Sequence, residues 1–112
     1  MDRLIFINDN FCLSKKELNR FVYLLSEEGL LEKHLPYLEK KISIDELFNL
    51  VKDLSHIKKV ANKITYFNPF TKEETEITFD YKMITFKTNV EKTFLEKYFY
   101  QISNNYLILK LV

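Results

Sequence analysis

The sequence of 112 residues contains a single glycine, Gly29. Phosphate-binding loops need several glycines, because their backbone must approach the phosphates closely and adopt left-handed conformations. The composition therefore excludes dinucleotide binding of the Rossmann type and P-loop nucleotide binding. It also excludes the G-x-S-x-G nucleophile elbow of α/β-hydrolases.

Cysteine and histidine are nearly as scarce. Cys12 is the only cysteine, so no disulfide can form within the chain and no multi-cysteine zinc site can be assembled. His34 and His56 are far apart and belong to no H-x-x-x-H or H-x-x-E pair. We interpret Cys12 as a small apolar residue, and we predict no metal, no cofactor and an intracellular, reducing location.

A charge excess and long apolar runs are also lacking. The formal net charge of +1 is too balanced to attract nucleic acid or anionic membranes through bulk electrostatics. No apolar run approaches the roughly 18 to 20 residues that a membrane span needs, and the opening "MDRLIFINDNF" does not resemble a signal peptide. We therefore expect a cytoplasmic protein without membrane contact.

What the sequence does contain is typical of a folded domain. Hydrophobic residues make up 46% of the chain and aromatic residues 15%, with no tryptophan. Such a chain has enough apolar material for a core, and its length suits one domain over residues 1–112.

Helix starts are indicated by three S/T-x-x-E capping boxes, which begin at Ser14, Ser43 and Thr88. The second predicted helix contains Pro36, which favours either two short pieces or a kink. In the first helix the apolar stripe is predicted to consist of Leu18, Phe21, Val22 and Leu25. The predicted helices span Lys15 to Glu28, Leu30 to Lys41, Ile44 to Lys63, and Asn89 to Asn104.

Strands are predicted where the apolar period changes to two. Around the turn "YFNPFTKEE" we expect a hairpin in which Lys72 or a neighbour adopts the left-handed conformation. The segment Asp80-Tyr81-Lys82 is either a tight turn or a bulge. The predicted strands are Leu4 to Ile7, Lys63 to Phe67, Thr75 to Phe79, Met83 to Lys87 and Tyr106 to Val112.

The order of these elements is β-ααα-βββ-α-β. It indicates a single α+β domain with about four helices and a mostly antiparallel sheet of four to five strands. Both terminal strands are apolar on two faces, so we expect both inside the sheet.

We predict no catalytic site. The carboxylate pairs Glu27-Glu28, Asp45-Glu46 and Glu73-Glu74 are adjacent in sequence, and adjacent residues on a helix do not face each other. Asp45 and Glu46 lie at a helix start, and Glu73 and Glu74 are expected on the exposed limb of the hairpin. General acid–base chemistry needs a pocket and a shifted pKa, for which the sequence offers no indication.

The leading hypothesis is a non-catalytic module that docks stoichiometrically on a protein partner, as an inhibitor, an immunity or anti-defence factor, or an adaptor. Phe70 occupies a turn position where polar residues are usual, and aromatic residues are enriched in interface hot spots. The predicted partner-binding residues are Phe70, Glu73, Glu74, Tyr23 and Tyr100. Usage rich in Lys, Ile, Asn and Phe is typical of AT-rich genomes and hints at a viral or mobile-element source.

The alternative hypothesis is nucleic-acid binding. On the predicted third helix, Lys52, His56, Lys59 and Lys63 would form one stripe. Three helices followed by a hairpin resemble a winged helix-turn-helix over roughly residues 14–80, with the third helix in the DNA groove and Lys72 on the wing. Glu73, Glu74 and Glu76 at the wing would repel phosphate.

Overall fold

The computed structural model describes residues 1–11, 13–81 and 83–111, so Cys12, Lys82 and Val112 lie outside the description. The fold class is confirmed as α+β in one compact domain. In chain order the elements are β1 (Asp2–Phe6), α1 (Lys15–Glu27), α2 (Leu31–Leu38), α3 (Ile44–Val51), β2 (Ile57–Val60), β3 (Lys63–Asn68), β4 (Glu73–Phe79), β5 (Ile84–Thr88), α4 (Glu96–Phe99) and β6 (Tyr106–Lys110).

The strands form one six-stranded antiparallel sheet in the order β2-β3-β4-β5-β1-β6, one strand more than the upper expectation. The prediction that both terminal strands lie inside the sheet is right for β1 and wrong for β6, which is an edge. The strand β6 is apolar because residues of α1 and α4 pack on its two faces, although among the described residues β1 is its only strand neighbour.

Two cores form on opposite faces of the sheet. The larger core packs α3 and α4 against one face and includes Leu4, Phe6 and Phe99. The smaller core packs α1 and α2 against the other face, and it includes Ile5 of β1, Ile7 just after β1, and Leu107 of β6. Because successive strand residues point to opposite faces, β1 contributes to both cores.

Two of the three capping boxes form. The Ser14 hydroxyl accepts from the Glu17 N–H at 3.2 Å, and the Ser43 hydroxyl accepts from the Glu46 N–H at 3.3 Å. Gly29 adopts a φ of 70° just after α1, as predicted. Pro36 lies inside α2, which is one continuous helix of two turns rather than two pieces.

The predicted long third helix is wrong, because α3 ends at Val51. The residues Ile57–Val60 instead form β2, an edge strand paired with β3. His56 and Ala61, which flank this strand, have φ angles of 64° and 54°. A helix cannot continue through such residues, and pairing with β3 satisfies backbone groups that helix formation would otherwise satisfy.

The predicted fourth helix is also wrong in its extent. Only Glu96–Phe99 is helical, and the third capping box does not form at Thr88, which ends β5. The Thr88 hydroxyl lies 2.8 Å from the Thr75 hydroxyl on the neighbouring strand β4. A cross-strand hydroxyl pair therefore replaces the helix cap.

The chain reverses between β4 and β5, where Phe79 pairs with Ile84 and the Asp80 N–H donates to the Met83 carbonyl at 3.0 Å. Lys82, in the Asp80-Tyr81-Lys82 segment predicted as a turn or a bulge, lies outside the described residues.

Replacing Phe99 with Ala tests the larger core. The ring is fully buried and meets Phe6, Phe86 and Tyr106 edge to face. We expect a loss of about 3 to 5 kcal/mol in the free energy of unfolding, measured with urea.

Phe21→Ala is the matched control, since Phe21 is 40% exposed on α1 rather than buried in its stripe. Its loss should be clearly smaller than that of Phe99→Ala. Equal losses for the two variants would contradict the described core.

Candidate functional site

Backbone hydrogen bonds and the Asn68 side chain close the tip of the hairpin between β3 and β4. The Asn68 Oδ1 atom accepts hydrogen bonds from the N–H groups of Phe70 at 2.9 Å and Thr71 at 3.2 Å. The Lys72 N–H donates to the Asn68 carbonyl at 2.8 Å, and Lys72 adopts the predicted left-handed conformation, with φ of 65°. The Phe70 side chain takes no part in this closure and is 93% exposed.

Glu73 anchors the base of the hairpin from inside the protein. The expectation that Glu73 lies on an exposed limb is wrong, because this residue is only 5% exposed. Its carboxylate accepts hydrogen bonds from the hydroxyls of Thr75 and Thr93 and, at 3.2 Å, from the Phe94 N–H. Glu73 begins β4 on the face that α4 covers, so the alternation of the strand turns its side chain inward.

Asn89 is a second anchor, which sequence reasoning assigned to a helix instead. Its Nδ2 donates to the Lys72 carbonyl at 2.9 Å, and its Oδ1 accepts from the Glu74 N–H at 2.7 Å. These bonds join the hairpin base to the end of β5. An asparagine directly after a strand, in a chain nearly without glycine, is the signal that could have indicated side-chain bonding to the backbone.

An uncovered sheet face adjoins this hairpin. The helices α1 and α2 pack over β1 and β6, whereas Lys58, Phe67, Glu74 and Lys87 are exposed on the same face of β2 to β5. Strand pairing places Lys58, Thr65, Glu76 and Lys87 in one row across four strands. A groove of about 490 Å³ runs here, lined among others by His56, Lys58, Phe67, Glu74, Glu76 and Lys87.

The predicted basic stripe does not exist as one surface. Lys52 follows α3, while Lys59 and Lys63 lie on adjacent strands and point to opposite faces of the sheet. Lys59 is bound to Asp45, and Lys63 lies 2.6 Å from Glu76. Of the four predicted nucleic-acid-binding residues, only His56 lines the groove.

The five predicted partner-binding residues are not brought together either. Glu74 is exposed near Phe70, and Glu73 is buried beneath it. Tyr23 is exposed on α1, which packs on β1 and β6. Tyr100 packs edge to face on Tyr106 of β6, with 4.9 Å between the ring centroids. The strand β6 is separated from β4 of the hairpin by β5 and β1.

The hydroxyls of Tyr100, which follows α4, and Tyr106, which begins β6, are electrostatically distinct. The neighbouring Tyr106 hydroxyl, with the charge of Lys15 nearby, lowers the pKa of Tyr100. Burial, together with the hydrogen bond to Glu96, raises the pKa of Tyr106. Tyr106 is therefore a donor to Glu96 that stays protonated, which makes this pair a structural contact.

A second cavity of about 340 Å³ lies between α2 and the sheet. Arg3 is buried there and is ion-paired with Glu32. Burial raises the pKa of Glu39, and Lys41, 3.7 Å away, only partly compensates. Within the described residues, no group of three or more His, Cys, Asp or Glu side chains is arranged to hold a metal ion.

Comparison with known proteins finds no matching family model, no similar curated protein and no similar solved structure. In the part of the chain that the structure describes, no helix has both the length and the apolar character of a membrane span.

Removing the Glu73 anchor should destabilise the protein. In Glu73→Ala the two threonine hydroxyls and the Phe94 N–H lose a charged acceptor in a buried place, so we expect a loss of about 1 to 3 kcal/mol in the free energy of unfolding. Glu74→Ala, the exposed neighbour, should stay within about 0.5 kcal/mol of the parent. Urea denaturation of both variants checks this, and a Glu73→Ala protein as stable as Glu74→Ala would disprove the anchoring role.

The raised pKa of Glu39 predicts that the stability of the protein depends on pH. The folded-state pKa of Glu39 is raised, so its contribution to stability is present below the unfolded pKa and is lost as pH rises through the folded value. Glu39→Gln removes this ionisation, so the stability of the variant relative to the parent should be greater at pH 7 than at pH 4. Melting curves at the two pH values measure the difference, and a relative gain at pH 4 instead would show that the ion pair with Lys41 dominates.

Proposed function

We propose that this chain is a non-catalytic protein-binding module that docks on a partner protein through the hairpin tip, with Phe70 as the anchor. The observation that carries the proposal is the almost complete exposure of Phe70 on a turn that closes without it. An exposed aromatic ring of this size contributes no folding energy that would explain its position, whereas aromatic anchors dominate many interfaces.

The anchoring of the turn supports this proposal. Glu73 and Asn89 fix the base of the hairpin through bonds to Thr93, Phe94 and Lys72. A side chain presented by a fixed backbone loses less conformational entropy on binding than one on a mobile loop. The tip is therefore pre-organised for a pocket on a partner.

The neighbouring groove extends the proposed docking surface. Phe67 offers apolar area on β3, the strand that leads into the Phe70 turn, and Glu74 gives the rim a negative charge that would steer a basic partner surface. Stoichiometric docking of this kind fits an inhibitor, an immunity or anti-defence factor, or an adaptor. With one cysteine in the chain, we place this activity in a reducing, intracellular setting.

Nucleic-acid binding is the second candidate, on a different surface from the predicted stripe. Lys58, Lys87 and Phe67 all line the groove on the open face, and single-stranded nucleic acids bind faces that combine aromatic rings with cations. Glu76 lies between these lysines in their row and Glu74 lies opposite Phe67, and both weaken the attraction for phosphate. The charge pattern therefore favours a protein partner.

Phe70→Ala tests the proposal. The free energy of unfolding should stay within about 0.5 kcal/mol, as for other surface sites. Affinity for the partner should fall by roughly 2 kcal/mol or more, which is about 30-fold. The parent and the variant are compared by capture from nuclease-treated and untreated extracts of the source organism, and then by titration with the purified partner.

Tyr81→Ala is the matched control, because Tyr81 is a 96% exposed aromatic residue in another turn. It should retain the binding of the parent. If Phe70→Ala melts clearly lower and binds equally well, Phe70 is structural and the proposal fails. Capture that nuclease treatment abolishes would favour the nucleic-acid alternative.

A further inference from the structure

We propose that β6 is a self-recognition edge, at which a second copy of this chain pairs antiparallel and extends the sheet across a two-fold axis. This surface is separate from the hairpin tip, and it does not depend on the proposed docking function. Three features of the molecule support it: the outward backbone groups of β6, the contrast with the other edge, and the match of the strand with itself.

The backbone of β6 leaves a row of unpaired groups. Asn105 and Leu111 hydrogen-bond with Ile7 and Met1, so odd-numbered residues of this segment face β1. In an antiparallel ladder the intervening residues point their N–H and C=O groups away, which assigns Tyr106, Ile108 and Lys110 to the free edge. Within residues 1–11, 13–81 and 83–111, no backbone hydrogen bond reaches the outward groups of these three residues.

The opposite edge of the sheet is protected in the ways that natural sheets use. The strand β2 has four residues, and Lys58 and Lys59 occupy its centre. His56 and Ala61 at its two ends have positive φ angles, which bend the chain away from an extended path. Charged residues and short length discourage pairing with another strand. The strand β6 carries one charge, on Lys110 at its end.

The strand is complementary to itself when the two-fold axis passes beside Ile108. In that register Ile108 meets Ile108 of the second copy, and Leu107 meets the copy's Leu109 on the other face. All three outward residues then fall in hydrogen-bonded pairs, which gives about six backbone hydrogen bonds. Apolar pairs thus meet on both faces of the extended sheet.

Charge completes the match. The same register sets Lys110 of one copy opposite Tyr106 of the other. Tyr106 donates to Glu96, so the Lys110 ammonium of the second copy would approach a carboxylate that carries a negative charge. The contact occurs twice across the two-fold axis. A parallel arrangement would instead place the two Lys110 side chains beside each other, which disfavours it.

Sedimentation equilibrium over a concentration series tests the self-association. We expect a monomer–dimer equilibrium for the parent chain and a monomer for Ile108→Pro, which removes an outward N–H that the fold does not use. Lys59→Pro makes the equivalent change at the β2 edge and should leave the dimer intact. Melting curves confirm that the variants fold. A parent chain that stays monomeric at every concentration overturns the proposal, as does a dimer that Ile108→Pro leaves unchanged.

Cross-linking gives a second readout that does not depend on the proline variant folding. In a Cys12→Ser background, Ile108→Cys brings two thiols together at the two-fold axis, where Cα atoms about 5.5 Å apart suit a disulfide. Diamide oxidation should yield a covalent dimer with Ile108→Cys and not with Lys59→Cys. Equal yields from the two variants would mean random collision and would overturn the proposal.

Discussion

The burial of β1 on both of its faces is the constraint on which the rest of the structure depends. Four consecutive residues, Leu4 to Ile7, are almost completely buried and alternate between the two cores. Both sides of this part of the sheet therefore need a helical cover, which α1 and α2 supply on one face and α3 and α4 on the other. No helix is left over for the second face of β2 to β5 in the described chain. The open groove is thus a consequence of how the helices are distributed.

The hairpin tip shows how a chain with almost no glycine builds a fixed turn. Asn68 supplies the acceptor inside the turn, Lys72 takes the left-handed conformation, and Asn89, directly after β5, bonds to the base. Glu73 would be costly to bury alone, but three donors satisfy its carboxylate. These polar contacts hold the backbone in place without the Phe70 side chain.

Local signals in the sequence predicted much of this fold. The boxes at Ser14 and Ser43, the stop at Gly29 and the turn at Asn68 all act over a few residues, where side-chain hydrogen bonds and allowed backbone angles decide the outcome. The same reasoning failed at residues 52–63 and 89–104. Both segments have helical spacing of apolar residues. Strand pairing with β3 nevertheless satisfied backbone groups of the first segment, and the Glu73 carboxylate accepted from the Phe94 N–H in the second.

The amino-acid sequence alone therefore determined the class of fold, the well-capped helices and the position of an aromatic residue at a turn, because short-range chemistry governs each of these. The assembled sheet decided the other features: the burial of Glu73, the separation of Lys59 from Lys63, the open face beside Phe67 and the free edge of β6. Each depends on which strand lies beside which and on which face a helix covers. Such long-range pairings are set by the sum of many weak contacts, and no single motif in the chain encodes them.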